Sequence, residues 1–373
     1  MKKLLLCLLL FLLITPPAYA APEEALLDAA DGLSEESLQG VQAILADFDY
    51  KEAVKNLSAN ADTGLLQRLW QGIGNFVLGE VRAGVRLPLS LAVLSALSGL
   101  LEGITPKKNG TAAAGFFICY AVVIGIAVSG ASLATERAEA AAEDMGIFTQ
   151  TALPAMATMA AALGGVSAAA IHPMMLAAVS GASLLVSRVG IPALYISLAL
   201  AVVGNLSGRL SLRALSALVR KTALWLVCGS FTLFSAILGV TGYAAGTLDG
   251  VTAKAVKYAA SSLVPVLGSL LAESADAVSF SALAVKNAAG VAGMVLIILL
   301  LLYPLLKILI LSLFYRLAAA VTEPIGDKRI CASLTDIADT MGALSGMTAA
   351  LGVLAIIVMG ILLKCGDMGV MLR

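Results

Sequence analysis

Residues 291–313, VAGMVLIILLLLYPLLKILILSL, decide the fold class of this chain. The run carries a single charged side chain, Lys307. An apolar run of about 18 or more residues predicts a helix that crosses a membrane. Similar runs recur along the chain, so we predict an all-α fold, a polytopic helical membrane protein.

The composition supports a membrane protein. Of the 373 residues, 60% are hydrophobic and 13% are charged, whereas about 25% are charged in a soluble globular chain. Lysine plus arginine equals aspartate plus glutamate, at 24 each. Because there is no basic excess to contact phosphates, nucleic acid is not an expected partner, and membrane lipid is the expected surrounding.

The first twenty residues, MKKLLLCLLLFLLITPPAYA, have the layout of a secretory signal peptide. Two lysines precede a short apolar run, and Ala18 and Ala20 provide small residues for cleavage. The alternative is an uncleaved first anchor. Cleavage after Ala20 would leave residues 21–86 as an extracytoplasmic helical segment, followed by a polytopic membrane domain at 87–373.

Within the extracytoplasmic segment, Ser34 followed by Glu35 and Glu36 predicts the start of a helix. A second helix begins near Asp62 and has a wide apolar face. That face suits either a helix lying in the membrane interface or one docked on the protein's own spans.

We predict eight spans and an orientation. Lysine and arginine gather on the cytoplasmic side of short loops, which places Lys107 and Lys108 inside, the acidic segment 135–145 outside, and the cluster 209–221 inside. Residues 316–329 then lie inside and the carboxyl terminus outside. The two runs around His172 and Pro173 could instead form a re-entrant pair. The spans are 87–104, 112–134, 146–170, 173–187, 190–207, 222–245, 291–313 and 341–363.

Signatures of catalysis are missing from the sequence. There is no phosphate-binding GxxxxGK[ST] loop and no HExxH zinc motif, and His172 is the only histidine. The four cysteines after the first twenty residues show no paired spacing that would indicate a metal site or a disulfide framework. We therefore expect no enzymatic activity, no cofactor and no bound metal.

Glycines at GxxxG spacing indicate close helix packing. Gly242 and Gly246 form one such pair, and Gly342 and Gly346 form another. Small residues let helix backbones approach each other in a membrane. The packing could lie within one subunit or at an oligomer or partner contact.

Polar and proline residues inside or beside the spans are candidate pore or coupling residues, because a charge at bilayer depth normally faces water or a partner. They are Lys307 with Pro304 before it, the pair Lys286 and Asn287, and Pro265 in the proline-broken stretch 261–271. The alternative for Lys307 is that its ammonium group reaches the inner membrane interface. Paired proline interruptions around Pro173 and Pro265 would suit a transporter with an inverted repeat.

Three segments of the carboxy-terminal half carry a family resemblance. They are GYAAGTLDGVTAKAVKYAASSLVPVLGSLLAE (242–273), VKNAAG (285–290) and YRLAAAVTEPIGDKRI (315–330). With them the chain resembles the stage III sporulation protein AE family of endospore-forming bacteria over nearly its whole length. The amino-terminal third is similar in layout more than in sequence.

The resemblance implies a multi-pass protein of the mother-cell membrane around the forespore, made during engulfment. It implies a secretion-like channel complex with other membrane proteins of the same sporulation operon, and indirectly with a forespore membrane protein. A separate ATPase would supply energy, and late forespore gene expression would depend on the channel. The alternative function is a stand-alone secondary transporter of a small solute.

Overall fold

The computed structural model describes residues 32–45, 64–104, 110–162, 166–207, 212–263, 267–324 and 326–365. Every regular element in these ranges is a helix, which confirms the predicted all-α class. The signal peptide prediction at 1–20 lies outside the described residues. The helices are α1 (Glu35–Ile44), α2 (Gly64–Gly84), α3 (Arg86–Ile104), α4 (Gly110–Ala162), α5 (Val166–Leu185), a π-helical turn (Val186–Gly190), α6 (Ile191–Ser207), α7 (Leu212–Leu263), α8 (Leu267–Thr322) and α9 (Lys328–Lys364).

The acidic segment 135–145 does not turn back toward the membrane as predicted, because it lies within α4. This helix has 53 residues, which at 1.5 Å per residue gives a length of about 80 Å. Alanine, glutamate and arginine are strong helix formers, and the segment contains no glycine or proline to end the helix. Its Ala138, Ala141 and Met145 are buried in the bundle, so packing also favours the continuous helix.

The segments 173–187 and 190–207 are also joined, through the π-helical turn between α5 and α6. Pro173 lies inside α5. Gly190 ends the turn and lies against α9, since a Cβ atom there would lie 2.8 Å from the sulfur of Met347 and would make that side chain shift. These residues therefore form one long, locally widened helical segment.

Six segments of the described chain are long and apolar enough to cross a membrane, and the predicted count of eight is not confirmed. Six crossings, like eight, return the chain to the side from which it started. One crossing by each of these six segments would keep the sidedness predicted for the basic clusters and for the carboxyl terminus, which stays a prediction. The six segments are Trp70–Leu100, Ala114–Ala161, Ala170–Leu206, Leu212–Gly242, Lys286–Thr322 and Lys328–Lys364.

Helix α9 forms the centre of the bundle. It packs against α4, α6, α7 and α8, and its Leu334, Leu344, Leu354 and Val358 are completely buried. Because much of α9 faces these neighbours, a charged residue on its buried faces needs a partner among them.

The starts of α4, α7 and α9 and the ends of α6 and α8 lie at one end of the bundle. The hydroxyl of Tyr120 donates to the carbonyl of Val202 at 2.9 Å and lies 2.9 Å from Ser333 Oγ. Arg213, Arg220, Arg316 and Arg329, which the charge rule assigns to the cytoplasm, belong to this end. We call it the basic end.

Helices α1 and α2 dock on the bundle. Ser34 caps α1 as predicted, since its Oγ accepts from the amide of Ser37 at 3.3 Å. The same hydroxyl donates to the buried carboxylate of Asp144 on α4 at 2.6 Å. On α2, Phe76 packs against Tyr303 of α8 with ring centroids 5.6 Å apart. Docking was one of the two alternatives for this helix.

Candidate functional site

Two aspartates of α9 organise a network of charges at the basic end. Asp336 and Asp339 are one helical turn apart, so their side chains lie on neighbouring parts of one helix face. Helices α6, α7 and α8 each contribute a partner. The network therefore joins the central helix to three of its neighbours.

Asp336 is the buried member, with 5% of its surface exposed. Its Oδ2 accepts from Asn205 Nδ2 of α6 at 2.9 Å and lies 3.5 Å from Arg213 Nε of α7. Its main-chain carbonyl accepts from Arg220 Nη1 at 3.3 Å. Leaving a buried polar group without its hydrogen-bond partner typically costs about 1–3 kcal/mol, and more when the group is charged.

Asp339 joins two helices through its two carboxylate oxygens. Oδ2 lies 3.2 Å from Arg220 Nη2 of α7, and Oδ1 lies 3.0 Å from Arg316 Nη2 of α8. The side chain of Arg220 is 13% exposed, whereas that of Arg316 is 58% exposed. The Arg220 pair is therefore the better shielded from solvent and contributes more to stability.

Neighbouring contacts hold the ends of α4, α8 and α9 beside the network. Arg329 lies over the ring of Phe116 with its Cζ 5.1 Å from the centroid. Ser312 donates to the carbonyl of Ala338 at 2.9 Å, and Asp327 caps α9 by accepting from the amide of Arg329 at 2.6 Å. These contacts fix the backbone that carries both aspartates.

A cavity of about 550 Å³ opens next to the network. It is lined by Arg213 of α7, by Arg316 and Glu323 of α8, and by Lys328 and Thr335 of α9. The cavity therefore combines three cationic side chains with one carboxylate, at the predicted cytoplasmic surface. Such an arrangement can bind an anion or a partner's acidic side chain.

Lys307, a predicted pore or coupling residue, lies away from this network. Its Nζ is 3.8 Å from Glu80 Oε1 of α2 and 4.9 Å from the ring centroid of Tyr303. The side chain is 18% exposed. Lys307 therefore links α8 to the docked helix α2. Pro304 is buried inside α8.

Lys286 is fully buried at the opposite end of the bundle and holds the carboxyl end of α9. Its ammonium group donates to the carbonyl of Leu363 at 2.7 Å and to the carbonyl of Cys365. The last carbonyls of a helix have no partner within the helix and carry partial negative charge, so a lysine there is stabilising.

Asn287 Oδ1 and His172 Nε2 are buried without a hydrogen-bond partner among the described residues. Pro265 lies outside the described residues.

The glycine pairs have different surroundings. A Cβ atom at Gly242 would lie 2.5 Å from Ile361 Cγ2, which places α7 tightly against α9 within one subunit. At Gly342 and Gly346 the nearest atoms would be 4.0 Å and 3.4 Å away, so added atoms meet open space or ordinary contact. Gly246 lies within α7, in a part of the helix whose side chains are not described.

Asp336 and Asp339 are site residues that the sequence patterns did not predict. The last span was predicted to start at 341, which left both aspartates in a loop, whereas α9 starts at Lys328. Buried positions such as Ile330, Leu334, Ile337 and Met341 recur at helical spacing through ICASLTDIADTM (330–341). That pattern was the available signal for a helix through both aspartates.

Among the described residues, no group of histidine, cysteine and carboxylate side chains could hold a metal ion.

Comparison with known proteins places the chain in a family. Residues 48–366 match the family model described as stage III sporulation protein AE. The chain is 24% identical over 318 residues to the stage III sporulation protein AE of Bacillus subtilis (strain 168), an alignment covering 84% of this chain and 80% of that protein. No solved structure matches the chain. Because the family model covers most of the chain, this polytopic helical membrane protein belongs to the stage III sporulation protein AE family.

Proposed function

We propose that the chain is a non-enzymatic, permease-like membrane subunit of a channel complex between mother cell and forespore, required for sporulation and late forespore gene expression. The match to the family model over residues 48–366 carries this proposal. The proposed location is the mother-cell membrane around the forespore, from the engulfment stage onward.

The polar network at the basic end suits a subunit that has to hold a fixed helix arrangement. The two aspartates of α9 are bound by polar groups of three neighbours. Asn205 donates a hydrogen bond to Asp336, and Arg220 and Arg316 form ion pairs with Asp339. In this role the carboxylate of Asp339 keeps α7 and α8 in register with α9. Loss of either ion pair would let the helix ends separate at the predicted cytoplasmic surface.

The partners in this proposal are other membrane proteins of the same sporulation operon and, indirectly, a forespore membrane protein. Energy comes from a separate ATPase, since the sequence has no phosphate-binding loop. No cofactor takes part. The exposed guanidinium groups of Arg213 and Arg316 give the basic end a surface that acidic partner residues can contact.

Copurification from sporulating cells tests this proposal. The chain, carrying an affinity tag at a position that preserves spore formation, is extracted in mild detergent, and the recovered proteins are identified by mass spectrometry. We expect the membrane proteins of the operon to be recovered in defined ratios. Recovery of the chain alone, together with saturable binding of one small solute by the purified protein, would instead support the stand-alone transporter.

A further inference from the structure

Beyond the cavity at the basic end, α9 continues past Gly342 and Gly346, and we call this strip of α9 between α7 and α8 the groove. Helices α7 and α8 pack against α9 from its two sides. Gly342 faces Arg316 of α8, and Gly346 faces Leu224 of α7. Both glycines are partly exposed, and Val353, two helical turns beyond Gly346, is 52% exposed. The strip of α9 between the two neighbours is therefore apolar, shallow and open to the surroundings.

The charges of the cavity favour an anionic group. Arg213, Arg316 and Lys328 outnumber the single carboxylate, Glu323, among the residues that line it. Asp336 and Asp339 offset part of the two guanidinium charges. Lys328 is exposed and forms no ion pair within the part of the chain that the structure describes. Its ammonium group therefore supplies most of the uncompensated charge.

The apolar surroundings favour a lipid over a free anion. Leu317 and Val321 of α8 are at least half exposed beside the cavity, and Leu215 of α7 is 45% exposed. In the purified chain, exposed leucine and valine side chains on a membrane-spanning helix contact acyl chains, which are as apolar as leucine. A molecule bound at this site would therefore contact cations at one end and hydrocarbon along its length. A phospholipid matches both, with an anionic headgroup and apolar acyl chains.

We propose that an anionic phospholipid binds here, with its headgroup phosphate in the cavity of Arg213, Arg316 and Lys328 and one acyl chain in the groove over Gly342 and Gly346. A cavity of about 550 Å³ has room for a glycerol phosphate headgroup. A partner helix in the same groove would have to bring an acidic side chain to its end to match the same cations. The inference does not depend on the proposed channel function, because it concerns the purified chain alone.

Native mass spectrometry of the delipidated protein in mild detergent tests the headgroup site. Dioleoyl phosphatidylglycerol and dioleoyl phosphatidylcholine, which share their acyl chains, are titrated separately. We expect phosphatidylglycerol to bind at least fivefold more tightly, and Lys328→Gln to weaken its binding about fivefold, as expected for one cation beside an anionic lipid. Lys221→Gln removes an exposed lysine of the same end that does not line the cavity, and should leave binding unchanged. Equal binding of the two lipids, or no effect of Lys328→Gln, would overturn the proposal.

A second pair of variants tests the groove. Gly346→Leu fills the groove and should weaken phosphatidylglycerol binding severalfold, whereas Gly229→Leu, at an exposed glycine of α7 with no atom within 4 Å, should not. Competition by glycerol 1-phosphate as effective as that of the intact lipid would show a site for a small anion and overturn the lipid assignment. Normal lipid binding by Gly346→Leu with loss of operon partners would assign the groove to a partner helix instead.

Discussion

Asp339 Oδ2 lies 3.2 Å from Nη2 of Arg220, so a carboxylate of the central helix α9 meets a largely buried guanidinium of α7. Arg220 also donates to the main-chain carbonyl of Asp336. One arginine thus contacts two consecutive turns of the central helix. This geometry makes Arg220 the residue whose removal should loosen the basic end most.

Arg220→Gln and Asp339→Asn should each destabilise the protein, and their effects should not add. We expect a coupling free energy of about 1 kcal/mol in a double-mutant cycle, since the side chain of Arg220 is mostly shielded from solvent. The measurement is thermal unfolding in mild detergent. The cycle of Arg316→Gln with Asp339→Asn serves as the control and should give a smaller coupling, because Arg316 is 58% exposed. Additive effects in the Arg220 cycle would argue against the ion pair.

Lys286→Met should loosen the carboxyl end of α9. The substitution leaves the carbonyls of Leu363 and Cys365 without their lysine donor, and an unsatisfied buried polar group costs about 1–3 kcal/mol. Cys365 is 1% exposed, so its alkylation rate reports this opening. In a chain whose other cysteines are replaced by serine, we expect about tenfold faster alkylation. Lys221→Met is the matched control, and an equal rate in both variants would contradict the capping role.

Gly242→Leu should destabilise the subunit itself. A Cβ atom there would lie 2.5 Å from Ile361 Cγ2, and overpacking of this kind typically costs about 1–3 kcal/mol. Gly229→Leu places the same side chain on the same helix, where no atom lies within 4 Å. The detergent melting temperature should fall for the first variant only. A fall of similar size for both would point to a general effect of leucine in α7.

Lys307→Leu should weaken the docking of α2 because Glu80 loses its partner. Membrane insertion should remain intact or improve, since a charge near the centre of a span costs about 2.5–3.5 kcal/mol on the insertion scale. The measurement is proteolysis of α2 on intact membranes together with spore yield. Lys307→Arg keeps the charge, and Glu80→Leu combined with Lys307→Leu removes both charges, so both variants should behave more like the natural protein. If Lys307→Leu leaves α2 as resistant to proteolysis as in the natural protein and spore yield is normal, Lys307 is not required for function.

The predictable part of the fold follows from the apolar runs. Residues 291–313 and 341–363 lie within α8 and α9, and the cap at Ser34 is present. The continuity of α4 was missed, because the acidic segment 135–145 resembles a loop in hydropathy. Its helix is decided by alanine content and by the burial of Ala138 and Met145, which depends on neighbours distant in sequence.

The site was less predictable than the fold. Lys286 and Lys307 were identified from their charge alone, and the charge did not reveal that one holds the end of α9 and the other meets Glu80. Asp336 and Asp339 lie outside the apolar run of the last span. Their partners come from positions 205, 213, 220 and 316. Only the packing of α6, α7 and α8 around α9 brings those positions together.

The spore yield of Asp339→Asn is the decisive measurement for the charge network around Asp336 and Asp339. The substitution keeps the shape of the side chain but leaves Arg220 and Arg316 facing each other without their carboxylate. With the variant present in the membrane at the natural level, we predict at least a tenfold loss of heat-resistant spores, and partial recovery when Arg316→Gln removes one of the facing charges. A normal spore yield from Asp339→Asn at that protein level would contradict the claim that this network is the functional site.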